Sequence, residues 1–281
     1  MYLIIEEMQV QLVMVTEDCI KQINFLVGLP RAGNTLFGSI MNQNPKVAVT
    51  ANSIVNDICR EIEKLKRSDT FKNFPYYKSF DNVCKNIFST YYKNWNYDFI
   101  IDRGTWGCPP NLKFLQDYFD GEIKIIILVR NIEEILQSFL KHARENKDSF
   151  VNEFWAKTDE EKCQMLLNKD GLIIRELIGI HHITQLDKNK HYGHLIEYND
   201  LINKPKETID GVYKFLNMPP FKHNFNTFKQ FTVQNHSYDD TIVGKNLHKI
   251  KENGLSKTIH RPLPKNVVKE CKHLNLWSNY E

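Results

Sequence analysis

The sequence has no C-x-x-C pair, and its six cysteines (Cys19, Cys59, Cys84, Cys108, Cys163, Cys271) are widely scattered. That spacing argues against a zinc site and a disulfide framework, so reduced thiols in a cytoplasmic setting are expected. No run approaches the roughly 18 apolar residues that a membrane span needs. The stretch from Met1 to Met14 is apolar but carries Glu6 and Glu7 and no basic leader, a poor match to a signal peptide. Charge of one sign is missing too: 37 Lys and Arg face 34 Asp and Glu, for a net +3. That balance is too mild to point to nucleic acid, and it suits an anionic small ligand held by a few placed cations. There is no internal repeat and no low-complexity linker. What remains is the composition of an ordinary globular protein, 42% hydrophobic and 25% charged, in 281 residues. That length holds one large α/β domain or two small ones.

The chain is organised around the run from Ile23 to Leu36. Residues 23–27 are apolar and partly β-branched, a short buried strand ended by Gly28. From Thr35 a helix begins, with Leu36, Ile40 and Met41 on one face. A strand, a glycine-bounded loop and a helix make a phosphate cradle, where loop amides and the positive end of the helix dipole converge on an anion. Gly28, Gly33 and Thr35 fit the frame G-x-x-x-x-G-K-[ST], except that Asn34 stands where the lysine should be. A cation lies inside the loop instead, as Arg31. In nucleotide triphosphatases the lysine reaches the β/γ-phosphates while Thr or Ser holds Mg²⁺. A loop with an internal arginine and no lysine suits a different anion, bound without a metal.

The run Gly28-Leu29-Pro30-Arg31-Ala32-Gly33-Asn34-Thr35-Leu36 resembles the 5′-phosphosulfate loop of sulfotransferases, enzymes that use 3′-phosphoadenosine 5′-phosphosulfate (PAPS). The likeness is nearest to the bacterial, phage and tyrosylprotein-type branch. Golgi members carry a membrane anchor, which this sequence lacks, so a soluble relative is expected.

The rest of the chain alternates strands and helices. Val47–Thr50 reads as a strand, and Asn52 or Ser53 can cap a helix carrying Val55, Ile58, Ile62 and Leu65. Residues 68–96 are rich in aromatics, which read mainly as core packing under a helical cover. Phe99–Asp102 is a strand ending in an acid. Ile123–Val129 is the strongest strand, and its continuous apolar run suggests burial on both faces. A helix follows with Ile132, Ile135, Leu136, Phe139 and Leu140. Residues 150–187 read as helical, with His181 and His182 as structural residues. His194–Tyr198 is a last strand, and Pro205 opens a helix carrying Ile209, Val212, Phe215 and Leu216. This order predicts an α/β fold: a P-loop-type parallel β-sheet flanked by helices on both faces, with helical cover segments. The expected layout is one domain over 1–281. Its core spans about 22–50, 97–145 and 190–220, its cover about 53–96 and 146–188, and its cap 221–281.

A donor with a 3′-phosphate needs a second anion subsite near the carboxyl edge of the sheet. Arg130 leaves the strongest strand at that edge, and Ser138 lies eight residues on, about two helical turns. An arginine can fork onto a phosphate while a serine hydroxyl adds a donor. Val129-Arg130-Asn131 with Ser138 resembles the family's 3′-phosphate motif. Glu197-Tyr198-Asn199-Asp200-Leu201 resembles its Tyr-Glu-Asp-Leu segment, which implies that Tyr198 meets the adenine. Gly244-Lys245-Asn246-Leu247-His248 resembles a late loop that folds over the 3′-phosphate, which makes Lys245 a further candidate. The donor site expected from the resemblance is thus Pro30, Arg31, Ala32, Gly33, Asn34, Thr35 and Leu36 with Arg130, Ser138, Tyr198 and Lys245.

Sulfuryl transfer demands positioning and charge stabilisation. Arg31 can sit on the bridging oxygen, and Arg103 is a second cation at a strand end, where many relatives have lysine. The base is less legible. Tyrosylprotein relatives have a glutamate where this chain reads Ala51-Asn52-Ser53, and small-molecule relatives have a histidine where it reads Thr105. Asp102 and His248 are the candidates, with Asp57 more remote. The reading is a PAPS-dependent transfer to a hydroxyl or amine of a small molecule, glycan or peptide, with no metal, nucleic-acid or membrane partner. Two alternatives stay open. One is a P-loop kinase or NTPase with Thr35 on Mg²⁺ and Phe99–Asp102 as its Walker B strand. The other is a non-catalytic PAP- or PAPS-binding module.

Overall fold

Strands alternate with helices as the hydrophobic pattern requires. The computed structural model describes residues 21–230, 232–250, 252, 255 and 261–277. β1 (Gln22–Gly28) leads through a short loop into α1 (Asn34–Met41), and β2 (Val47–Val49) follows. Four helices, α2 (Val55–Leu65), α3 (Asp69–Asn73), α4 (Tyr77–Lys85) and α5 (Ile87–Tyr91), precede β3 (Phe99–Arg103). Next come α6 (Pro109–Tyr118) and β4 (Ile125–Val129). Between β4 and β5 (Gly193–Glu197) lie α7 (Ile132–Glu145), α8 (Asp159–Leu167), α9 (Leu172–Thr184) and α10 (Asp187–Lys190). After β5 come α11 (Tyr198–Asn203), α12 (Pro205–Phe215), a single 3-10 turn (Asp240–Ile242) and α13 (Lys265–Cys271).

All strand pairs are parallel, in the order β2-β3-β1-β4-β5. All five β4 side chains are 0% exposed, so helices cover both faces of the sheet, as expected for an α/β fold. Each such Ile, Leu or Val contributes about 1.5–3 kcal/mol by leaving water. The chain lays β2 and β3 on one side of β1 and then crosses to β4 on the other. The crevice of an open α/β sheet lies at that reversal, outside the carboxyl ends of the strands. Leu26 stands opposite Arg103, and Gly28 opposite Leu128. Neighbouring strands are ~4.8 Å apart, so Arg103, the loop after β1 and Arg130 emerge side by side.

Some boundaries differ from the sequence reading. β4 starts at Ile125; Lys124 just before it is paired with Glu122 at 2.9 Å, and its carbonyl accepts from Phe25 N–H of β1 at 2.9 Å. β5 ends at Glu197, and Tyr198 opens α11 instead of closing the strand. α2 has Ile54 as its N-cap; Ser53 Oγ still accepts from Val55 N–H at 3.1 Å. The aromatic cover divides. Phe88 and Tyr92 are buried in the core, whereas Phe74, Tyr76 and Tyr77 are exposed. The five described cysteines are free, and burial pushes the Cys84, Cys108 and Cys271 thiols up to about 11. Cys19 and the stretch from Met1 to Met14 lie outside the described residues. Among the described residues no helix is long and apolar enough to cross a membrane.

Candidate active site

The loop after β1 owes its shape to three residues. A Cβ on Gly28 would fall 2.0 Å from Asn34 Oδ1. Asn34 is therefore folded back, and its Nδ2 donates to Leu29 O at 2.8 Å. The residue at the missing lysine's position braces the loop from inside, with its own Oδ1 buried and without a partner. Arg31 (φ 62°) and Gly33 (φ 88°) both take left-handed backbone. Such a turn aims successive N–H groups at one point, and a non-glycine residue there stores about 1–3 kcal/mol of strain. Gly33 caps α1 without a side-chain bond, so no capping side chain takes the first-turn amides. These amides form a concave anion cradle.

The two arginines expected at opposite ends of a nucleotide meet in one cleft. Arg130 donates from Nη1 to Arg31 O at 3.1 Å and from Nε to Glu134 Oε2 at 3.0 Å. Its guanidinium carbon lies 4.1 Å from the centre of the Tyr198 ring. That ring rests on Gly33, where an added Cβ would come within 2.9 Å of Tyr198 Cδ2. Arg31 donates from Nε to Ser138 Oγ at 3.0 Å and from Nη1 to Leu247 O. Ser138, expected to act with Arg130, is thus hydrogen-bonded to Arg31 instead. Burial and then the Arg130 charge lower the Arg31 pKa, and a guanidinium remains charged under both. The cleft holds about 640 Å³ and is lined by Pro30, Arg31, Gly33, Asn34, Thr35, Leu36, Arg130, Ser138 and Tyr198. Ala32 is 0% exposed; its side chain packs in the core, so it offers the cleft only backbone.

Arg103 closes the other side. Its Nη1 donates to Ala51 O (2.7 Å), Asn52 Oδ1 (2.7 Å) and Tyr238 Oη (2.8 Å). The Tyr238 ring stacks on His248, with centres 4.0 Å apart and planes within 5°. Asp240 accepts from the His248 backbone N–H at 2.9 Å and faces its Nδ1 at 2.6 Å. Burial lowers the His248 pKa against the pull of Asp240. The ring is therefore neutral at neutral pH, with Nδ1–H donating to Asp240 and Nε2 as the basic nitrogen. His248 lines the cleft.

Other sequence candidates land elsewhere. Asp102 is 0% exposed and accepts from Tyr92 Oη and, at 2.8 Å, from Trp106 Nε1. Successive strand residues point to opposite faces, so Arg103 lines the cleft while Asp102 faces the core. It can be neither the acceptor's base nor a Walker B acid. Burial raises its pKa. Lys245 is exposed and takes part only through its carbonyl, which accepts from His142 Nε2 at 3.1 Å. Lys249 lines the cleft in its place. Asp57 is paired to Arg60 at 2.6 Å. His182 bonds Gly107 O at 3.1 Å, a structural contact. The sequence reading missed Glu176 and Arg175 of α9, which also line the cleft. Burial pushes the Glu176 carboxyl up to about 7, with Arg103 and Arg175 opposing the shift. The available signal was an acid set among Ile173, Leu177 and Ile180 on a mostly apolar helix.

A family model described as a sulfotransferase domain matches residues 22–272. Among solved structures, the chain is similar to the sulfotransferase domain from the curacin biosynthetic pathway, with 16% identity and a TM-score of 0.51, covering 93% of this chain and 94% of that one. It also matches the sulfotransferase domain of the Synechococcus PCC 7002 olefin synthase, with 15% identity and a TM-score of 0.49, covering 89% and 94% of the two chains. A mouse sulfotransferase, SULT7A1, solved in complex with PAP, matches at 15% identity and a TM-score of 0.44, over 72% and 60%. The first of these supports the fold. No curated protein matches the chain by sequence.

Proposed function

This chain belongs to the sulfotransferase domain family, and on that premise we propose that it moves a sulfuryl group from PAPS to an acceptor hydroxyl. The observation that carries the reading is the single cleft with an anion cradle at the loop and Arg130 beside it. The residues fit such a donor. The amides of Gly33, Asn34 and Thr35 with the Thr35 hydroxyl suit a 5′-phosphate, and Arg130 suits a 3′-phosphate. Tyr198 lines the same space and offers a ring face to the adenine. A cleft of about 640 Å³ is of nucleotide size.

When bound, the donor supplies the sulfuryl group and its phosphate leaving group. Arg31 and Arg103 stand as the cations for charge on the bridging and equatorial oxygens. His248 Nε2 takes the proton of the attacking hydroxyl, and Asp240 holds the ring in the tautomer that allows it. The scattered free thiols suit a reducing compartment, and the cytoplasm is the proposed site of action. The chain is read as one α/β domain.

Calorimetry with PAP and with ATP–Mg²⁺, each with and without EDTA, tests the donor. Tight PAP binding that survives EDTA is the expected result. Binding of ATP that needs Mg²⁺, with none of PAP, overturns it. A radiolabelled-sulfate transfer assay then separates an enzyme from a binding module.

A further inference from the structure

The acceptor must approach the same edge of the sheet from the side that the donor leaves free. A second cavity of about 580 Å³ opens there, between α2, the stretch from Gly104 to Asn111, and α9. Gly28, Asn52, Arg103, Arg175 and Glu176 line both this cavity and the donor cleft, so the two spaces meet at Arg103.

The charges of this second cavity are mixed, with three arginines (Arg60, Arg103, Arg175) and two acids (Asp57, Glu176). Arg60 pairs with Asp57 at 2.6 Å. Arg103 Nη1 already serves three oxygens. Glu176 sits in the fields of Arg103 and Arg175 and, among the described residues, its carboxylate has no hydrogen-bond partner. The remaining polar groups are neutral, and one is incomplete. Asn111 lines the cavity, is 1% exposed, and donates from Nδ2 to Thr105 O and Oγ1 at 2.9 Å each. Its Oδ1 is buried without a partner. A buried amide oxygen without a donor costs free energy, which a ligand O–H beside it would recover.

This pattern selects a ligand class. A ligand charge of either sign would meet like charge here as well as opposite charge, an ammonium at Arg103 and Arg175 and an anion at Glu176 beside the donor's own negative charge. A hydroxyl both donates and accepts, and it suits amides and an acceptor-only carboxylate. We propose that the second cavity seats a neutral polyhydroxylated acceptor, a sugar or polyol, and that Glu176 accepts a hydrogen bond from one of its hydroxyls while a neighbouring hydroxyl is sulfated. This rests on the donor reading above. In the transfer the reacting oxygen forms the new S–O bond, the S–O bond to the 5′-phosphate breaks with its electron pair, and the proton goes to His248 Nε2.

Glu176 also provides a readout in pH. Arg103 of β3, Cys108 before α6, Arg175 of α9, Asp57 and Arg60 of α2 and His248 of the C-terminal segment line the two spaces around it, and the Cys108 thiol, pushed up to about 11, stays neutral through this range. Its carboxyl titrates near 7, and only the ionised form is a full acceptor. The acceptor KM should therefore fall as pH rises through about 7.

The test uses radiolabelled PAPS with four acceptor arms: neutral mono- and disaccharides, alkyl amines, phenols and uronic acids. Label on the neutral sugars is expected. Glu176→Gln should raise the sugar KM roughly 10- to 100-fold, the loss of one charge-assisted hydrogen bond. It should also abolish the pH step in KM and leave the PAP dissociation constant within about twofold. Label only on amines, phenols or uronates overturns the proposal, as does an unchanged KM in E176Q. PAP binding with no label on any sugar overturns the acceptor assignment and leaves the donor reading standing. Absence of PAP binding overturns both. The acceptor panel uses the wild-type protein, so the proposal stays falsifiable if E176Q does not fold.

Discussion

Replacing Arg130 with alanine tests the donor assignment at one end of the nucleotide. Arg130 is 7% exposed, so salt screens its contacts weakly. It donates to Arg31 O and Glu134 and covers the Tyr198 ring. Removing it should cost about 4 kcal/mol of stability, from two charge-assisted hydrogen bonds and the ring contact. At this chain length that is a fall of roughly 7 °C in Tm, which leaves the variant folded at 25 °C. The binding effect is larger and selective. A charge-assisted contact to the 3′-phosphate is worth about 1.5–3 kcal/mol, so the PAP dissociation constant should rise about 10- to 150-fold. 5′-AMP lacks that phosphate, and its dissociation constant should change less than about twofold. Calorimetry of both ligands on wild type and R130A closes a cycle whose coupling term isolates the arginine–phosphate pair. Equal losses for PAP and 5′-AMP would refute the placement of the 3′-phosphate at Arg130.

Three further outcomes follow from the same structure. His248→Gln should lower kcat by about 10²- to 10⁴-fold with PAP affinity kept. Because burial lowers the His248 pKa, the wild-type rate should fall with acid only below the ordinary histidine range, and a pH–rate profile shows where. Wild-type-like turnover in H248Q would remove it as the base. Asp102→Ala leaves the Tyr92 O–H and Trp106 N–H without their acceptor. At about 1–3 kcal/mol each, urea unfolding should show a loss near 4 kcal/mol, and a loss below 1 kcal/mol would contradict its buried role. Glu176 has a folded pKa raised from 4.5 to about 7. It therefore contributes stability fully present below about pH 4.5 and lost as pH rises through about 7. Unfolding at about pH 5 and pH 8 should show E176Q gaining about 1–3 kcal/mol on wild type over that interval; parallel curves would contradict the shift.

How much of this was legible follows from what each signal encodes. The sheet was legible because Ile125–Val129 is a short run rich in β-branched residues between Lys124 and Arg130, which suits a strand covered on both faces. The loop was legible because glycine spacing reports backbone geometry directly, and Gly33 does sit at φ 88°. Asp102 was misread because two adjacent polar residues end β3, and the sequence does not say which one faces the crevice. The pleat sends Arg103 there and Asp102 to Tyr92 and Trp106. Lys245 was misread for a different reason. Residues 221–250 have no repeating period, and the left-handed turns at Gly244 and Asn246 set the register that brings Leu247, His248 and Lys249 to the cleft. Glu176 was invisible because an acid on a helix ordinarily marks its solvated face, and only the packing of α9 near β1 turns it inward.

In the proposed complex one nucleotide lies along the edge of the sheet, bridging the loop after β1 and the start of α7. A crystal structure of the protein with PAP tests it most directly. The 5′-phosphate should lie over the amides of Gly33, Asn34 and Thr35 and the 3′-phosphate against Arg130, with the adenine beside Tyr198. PAP bound elsewhere, or with its two phosphates exchanged between those positions, would contradict it.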